Sequence, residues 1–346
     1  MTPHSSVFCT IVPPHILERL AQSDNPAFAE AARRTLVADA AHRTTRRLAA
    51  LAAPAAATGV RRTIYDAHNG TDLPGDKIQD EGGQPTQDAT ANRAYAGLGA
   101  TYDLYEKVFG RASIDGAGMP LLASIHYDEK YDNAFWNGEQ MVFGDGDGQL
   151  FVDFTVSVDV IGHELTHGVT QSTANLAYYG QSGALNESVS DVFGSLVKQY
   201  ALGQTADQAD WLIGEGLLGP AIDKGTALRS MKAPGTAYDD DELGKDPQPA
   251  TMDGYVRTHS DNGGVHINSG IPNHAFYLVA TALGGNAWDR AGQIWYDVLT
   301  GGTLDSEATF KDFAAATVAA AKARYAQGDE AKAVQDAWAT VGVPTS

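Results

Sequence analysis

Two histidines flank a glutamate in His163-Glu164-Leu165-Thr166-His167, within a stretch from Val158 to Gln171 whose apolar residues recur at helical spacing. On a helix, positions four apart differ by about 40° around the axis, so both imidazoles can reach one metal ion. The pattern suits zinc, yet alone it equally describes a surface helix with two solvated histidines. A third ligand is available in Asn186-Glu187-Ser188-Val189-Ser190-Asp191, where Glu187 follows His167 by 20 residues. This second predicted helix is reached through the Gly-rich turn Gly180-Gln181-Ser182-Gly183. Catalytic zinc keeps three protein ligands and one open position for water. Asp191, four residues after Glu187, can accept the second ring N–H of one histidine, and Asn186 that of the other, which fixes both tautomers. An ordinary surface carboxylate is the plainer reading of Asp191.

Such a site does hydrolysis. Bound Zn²⁺ lowers the pKa of its water toward about 7 and polarises a carbonyl. Glu164 points off the ligand row and can carry the water's proton to a leaving amine. The oxyanion needs donors besides the metal. One candidate lies in Asp261-Asn262-Gly263-Gly264-Val265-His266-Ile267-Asn268-Ser269-Gly270, where the glycines permit close backbone approach and Asp261 can hold His266 protonated. In isolation, a histidine in such a loop is more often structural.

The elements that must position these groups read as α+β. Residues 61–155 form a β-rich half with strand-like pieces at Arg62-Thr63-Ile64-Tyr65 and Leu121 to Tyr127, and one helix near 87–109. Residues 156–346 read as a helical half, with segments near 157–171, 185–201, 270–282, 286–299 and 306–324. The zinc helix joins the two. Residues 1–60 form a helical leader, with a helix over 15–50 in which Asp24 or Asn25 can cap and Pro26 sits in a first turn. The stretch Ala52 to Gly59 reads as a linker.

Charge separates leader from body. The 346 residues carry a net −19, but residues 1–62 hold eight arginines, no lysine and four acids, net +4, leaving −23 for the rest. An acidic body repels nucleic acid and suits cations, so nucleic-acid partners are not expected. No run of 18 apolar residues occurs, so no membrane span is expected. The start Met1 to Ser6 lacks a basic stretch, so no classical signal peptide is readable; a non-classical export route or cytoplasmic retention is expected. The single cysteine, Cys9, removes disulfides and Cys-rich zinc sites from consideration. The reversal of charge at the linker favours a removable prosegment over an ordinary helical subdomain.

From about Tyr131 to Gly270 the chain resembles thermolysin and its relatives, motif after motif in order. The matching pieces are Asn133 to Gly138, Gly144 to Gly148, His163 to His167, Gly183 to Asp191, Leu228 to Met231 and Asp261 to Gly270. The resemblance implies a zinc endopeptidase with His163, His167 and Glu187 as ligands. It implies that Tyr178 and His266 donate to the oxyanion, that Asp261 orients His266, and that Arg229 binds the carbonyl of the residue after the scissile bond. Asn133 and Ala134 would hold the substrate backbone as an added strand. Phe151, Phe154, Val160, Ile213 and Leu228 would line an apolar pocket selecting bulky hydrophobic residues after the cut; without the resemblance they are plain core. The family's double calcium site would use Asp159, Asp210, Glu215 and the carbonyl of Leu212, but Lys198 replaces a further carboxylate, so at most one Ca²⁺ is expected.

The leader is similar to the short prosegments of protealysin-like members, which carry Cys-x-x-x-Pro-Pro, here Cys9 to Pro14. The expectation is that the Pro13-Pro14 region lies near the zinc and that a cut near residues 50–62 releases activity. Cys9 is either a zinc ligand that enforces latency or, as is commoner for a lone cysteine beside an apolar run, a buried small hydrophobe. Two other functions remain in view. An aminopeptidase would need an acidic anchor for a free amine, and no distinctive motif supplies one. A catalytically dead zinc-binding module would lack one of Glu164, Tyr178 or His266, and all are present.

Overall fold

Proline punctuates the leader, and it yields two helices where one was expected. The structure, a computed structural model, describes residues 9–46, 59–326 and 328–345, with the backbone alone for 43–46. Pro14 opens α1 (Pro14–Leu20) and Pro26 opens α2 (Pro26–Arg46), where the Asn25 side chain accepts from Ala27 N at 3.0 Å. Ile11, Val12, Ile16, Leu17 and Leu20 are fully buried. At roughly 2 kcal/mol per buried aliphatic side chain, these five give the leader's docking a gross term on the order of 10 kcal/mol. The linker residues 52–58, most of the expected cut region and the start Met1 to Ser6 lie outside the described residues.

The body begins with β1 (Arg62–Asp66) and β2 (Asp76–Asp80), then α3 (Ala89–Phe109), β3 (Leu121–Ile125), β4 (Ala134–Trp136) and β5 (Met141–Phe143). These strands form one mixed sheet in the order β2-β1-β3-β5-β4, parallel at β1/β3 and β3/β5 and antiparallel at both edges. The strand expected to run to Tyr127 stops at Ile125, because His126 turns to φ 51°. Asp88 caps α3 by accepting from Thr90 N, and Gly110 ends it in the left-handed conformation.

Two long helices follow, α4 (Val158–Ser172) and α5 (Gly180–Leu202), and α4 is buried along most of its length. Gly180 to Gly183, expected as a turn, form the first turn of α5. Glycine sets how closely these helices meet. A Cβ on Gly194 would stand 2.4 Å from the Asp159 carbonyl, and one on Gly162 would stand 3.0 Å from Gly194 Cα. That backbone contact brings the α4 histidines within reach of the α5 carboxylates. Short paired segments β6 (Leu212–Ile213) and β7 (Arg229–Ser230) lead to a helical region of α6 (Asp261–Asn268), α7 (Gly270–Leu283), α8 (Ala291–Thr300), α9 (Phe310–Arg324) and α10 (Glu330–Thr340). The last was not expected, although its Trp338 is fully buried and stacks on Trp295. The result is α+β, with the sheet-bearing half leading through α4 into the helical half. Among the described residues no helix is long and apolar enough to cross a membrane.

Candidate functional site

His163 and His167 project from the same face of α4 with their Nε2 atoms 3.1 Å apart. Their Nδ1 atoms turn away, to Asp191 Oδ1 at 2.7 Å and Asn186 Oδ1 at 2.8 Å. The Asn186 amide nitrogen donates to Leu176 O, so its oxygen faces the ring and accepts. Asp191 also accepts only, since burial is outweighed by Arg229 and His163, which hold its carboxyl well below the usual range. Both Nδ1 atoms therefore donate, and both Nε2 atoms present lone pairs to one point. Glu187 adds its carboxylate, 3.6 Å from each Nε2. Lone pairs converging in a buried space repel unless a cation sits among them, so this donor set fits zinc.

Arg229, from β7, grips Asp191 with two parallel bonds of 2.9 Å, Nε to Oδ2 and Nη2 to Oδ1. Asn273 of α7 gives Oδ2 a second donor at 2.8 Å. Burial opposes the charge on Glu187, but His266, His167, His163 and Arg229 together bring its pKa down to about 2.

Glu164 is fully buried and its Oε2 accepts from Trp136 N at 3.0 Å, which ties it to the sheet edge. Across the site Tyr178 OH donates to Glu187 Oε1 and lies 3.3 Å from His266 Nε2. The segment expected as a loop forms α6, entered through Asp261 and then Asn262, Gly263 and Gly264, all at positive φ. That tight entry turns Asp261 back onto His266, accepting from its backbone N at 2.9 Å and meeting Nδ1 at 2.6 Å. Burial disfavours the imidazolium of His266, but Asp261 and Glu187 outweigh it and push its pKa up to about 9. Two donors thus face the ligand cluster, one of them charged near neutral pH.

The leader runs through this site. Ile11 N donates to Ala134 O at 3.1 Å, Val12 N to Asn133 Oδ1 at 2.9 Å, and Arg229 Nη1 to Ile11 O at 3.1 Å. Cys9 Sγ is 2.9 Å from Glu187 Oε1 and joins His163, His167 and Glu187 in a buried group whose ligand atoms lie within 4.8 Å of one another. Burial, reinforced by Glu187 and Glu164, pushes the Cys9 thiol well above its ordinary value. Pro13 and Pro14 follow directly as the chain turns into α1. From α2, Asp39 accepts from Tyr131 OH at 2.5 Å and from Asn133 Nδ2 at 3.1 Å.

The remaining expected residues divide in two. Phe151, Phe154, Val160, Ile213 and Leu228 are buried in one continuous core cluster with Ile11 and Val12. Asp159, Asp210 and Glu215 do come together, but around Lys198 Nζ at 3.4, 2.7 and 3.2 Å. Each of these carboxylates has the same ammonium as an ion-pair partner, and Leu212 contributes its backbone N–H to Asp210. Asn273, Trp136 and Asp39 escaped the sequence reading. A polar residue on the buried face of an apolar helix was the available signal for Asn273, while a backbone donor such as Trp136 leaves none.

Comparison with known proteins bears on the same residues. Residues 38–171 match the family described as thermolysin metallopeptidase, catalytic domain, and residues 174–343 match thermolysin metallopeptidase, alpha-helical domain. The chain is 50% identical over 344 residues to an extracellular metalloprotease of Pectobacterium carotovorum subsp. carotovorum, covering 98% of this chain and 97% of the relative. It is 43% identical over 289 residues to thermolysin of Alicyclobacillus acidocaldarius, covering 81% of this chain and 50% of that one. The precursor of protealysin, a metalloproteinase from Serratia proteamaculans, superposes with a TM-score of 0.89 at 52% identity, covering 97% of this chain and 99% of the other.

Proposed function

Because the chain belongs to the thermolysin family of metallopeptidases and is a peptidase, we propose that it is made as a latent zinc endopeptidase whose leader blocks its own cleft. The observation that carries this reading is the path of residues 9–12. Arg229, Ala134 and Asn133 hold Ile11 and Val12 as they would hold the two substrate residues after a scissile bond. Cys9 sulfur meanwhile lies within ligand distance of the same group and would fill the open position of a zinc held by His163, His167 and Glu187. A coordinating thiol is deprotonated, so its raised pKa opposes coordination until metal binds.

With the leader gone, His163, His167 and Glu187 would hold a zinc ion, which would supply a Lewis acid and a water acidic enough to attack at neutral pH. Glu164, fixed by Trp136 N, takes the proton of the attacking water and passes it to the leaving amine. Tyr178 OH and the charged His266 ring donate to the oxygen of the tetrahedral centre. Asp261 keeps that ring charged and oriented. Arg229 holds the next carbonyl, and the apolar cluster around Phe151, Phe154, Val160, Ile213 and Leu228 selects a bulky hydrophobic residue, so cleavage falls on its N-terminal side. Lys198 takes the role of an ion for Asp159, Asp210 and Glu215, and the body needs no calcium there. Export is the localisation favoured by the name of the Pectobacterium relative; recovery of the protein from cell lysate alone, with none in the medium, would rule it out.

Casein hydrolysis decides the activity. Full-length chain should be nearly inert, a form beginning near Arg61 active, and that activity lost on adding 1,10-phenanthroline or in Glu164→Gln. Equal activity of the two forms overturns latency; activity that survives chelation overturns the zinc reading.

A further inference from the structure

Asp191 is a junction. Its Oδ1 accepts from His163 Nδ1 and Arg229 Nη2, its Oδ2 from Arg229 Nε and Asn273 Nδ2. Two of these partners answer to different parts of the reaction, since His163 faces the metal site and Arg229 faces the substrate carbonyl position now taken by Ile11. A carboxylate rotates easily about its terminal torsion. Whatever fixes its plane therefore sets the imidazole and the guanidinium together.

We propose that Asn273 is a positioning residue for peptide hydrolysis, its amide fixing the carboxylate plane of Asp191 so that one side chain of the helical half aligns both the metal-facing His163 and the substrate-gripping Arg229. Asn273 comes from α7, outside the α4, α5 and β7 elements that carry the other partners. It is fully buried, and its Oδ1 has no hydrogen-bond partner among the described residues. A buried amide carbonyl left without a donor is a cost, and an apolar residue of similar size would avoid it. What an apolar residue could not supply is the second donor to Oδ2. Without it, the Asp191 carboxylate is held only by Arg229 and His163, the two groups it must itself align, and it loses the one donor that is independent of them.

The inference rests on the zinc-peptidase reading, and the test separates the two. Asn273→Leu removes the donor and keeps the branched shape; Asn273→Ser is the smaller second variant if the first does not fold. Zinc affinity of leader-free protein is measured by competition with a chromophoric chelator. Inhibition is measured with a peptide inhibitor bearing the carbonyl that Arg229 grips, and with its methylene analogue lacking that oxygen. Removing a partner that orients a metal ligand typically weakens metal binding by about 10 to 100-fold, and that loss is expected here. The advantage of the carbonyl inhibitor over its analogue should shrink by about 10-fold in the same variant. Zinc affinity and carbonyl discrimination both within twofold of wild type, whatever happens to thermal stability, would overturn the positioning role. Failure of the wild-type protein itself to bind zinc would instead overturn the reading beneath it.

Discussion

Acid should loosen the leader through His15, and the size of the effect can be worked from its surroundings. His15, in α1, sits against the body with Nε2 3.1 Å from Tyr238 OH, and its Nδ1 has no hydrogen-bond partner among the described residues. Tyr238, Asp261, His266 and Arg229 face it. Burial is the main cause that lowers its pKa from 6.5 to about 4; His266 and Arg229 add to the shift, and Asp261 opposes it. A docked leader thus holds the imidazole neutral, whereas a released leader lets it charge near 6.5. Docking is at full strength above that value, weakens as pH falls toward 4, and loses no more from this group below 4. The whole shift is worth about 3.4 kcal/mol at about 1.36 kcal/mol per unit. Between pH 7 and pH 5 it is about 2 kcal/mol, a factor of roughly 20 in the docking equilibrium. Hydrogen exchange of α1 amides reads this directly in metal-stripped, full-length Glu164→Gln, which cannot digest itself. The opening free energy of α1 should fall by about 2 kcal/mol more in that background than in its His15→Gln derivative, which stays neutral. Equal falls in the two would refute the reasoning.

Lys198→Met should cost about 3 kcal/mol or more, since Asp159 is fully buried and loses its counter-charge; thermal melting checks it. Lys198→Glu should make the melting temperature rise with added Ca²⁺, while the wild-type protein stays indifferent to a calcium chelator; a chelator-sensitive wild type would show that the ammonium does not replace an ion. Cys9→Ser in the full-length chain should raise residual peptidase activity without altering the leader-free enzyme, and unchanged latency would leave Cys9 as a buried small hydrophobe. Asp39→Ala should free Asn133 and Tyr131 on the leader's side, which limited proteolysis would report as faster loss of α2.

Local chemistry made the centre of the site legible in the sequence. The α4 histidines share a face by helical spacing, Glu187 stands as their third ligand through the family resemblance, and the sheet-then-helix order follows from the change in period after Val156. Legibility failed where partners come from far along the chain. Asp191 was expected as a histidine's partner, but nothing in its neighbourhood announces Arg229 or Asn273, which arrive 38 and 82 residues later. The surroundings of Asp159 are hard to read for a related reason. Lys198 in place of a carboxylate signals a reduced site, yet only its side-chain reach brings one ammonium to three carboxylates. The two leader helices were merged because Ala and Arg suit a helix throughout, and the break depends on Pro26 and Asn25 alone. α10 was missed because its polar composition, Glu330-Ala331-Lys332-Ala333, hides the Val334 and Trp338 stripe that buries it.

On the proposed reading, latency and specificity would draw on the same atoms, and this limits how the leader can be tuned. Arg229, Asn133 and Ala134 hold Ile11 and Val12 with the same groups proposed to hold substrate backbone. A change in the body that weakens this grip therefore weakens leader and substrate alike. Selective release must instead act on the leader's own side chains, and the structure offers these on either side of the shared segment. His15 against Tyr238 lies beyond Val12, Cys9 lies before Ile11, and Asp39 reaches Asn133 from behind. Ile11→Gly should accordingly relieve inhibition by losing apolar burial worth roughly 2 to 3 kcal/mol, while leaving kcat and KM of the processed enzyme untouched. Inhibition of the full-length Ile11→Gly chain that equals wild type would mean that the packing of α1 and α2 alone closes the cleft, and that the substrate-like strand is incidental.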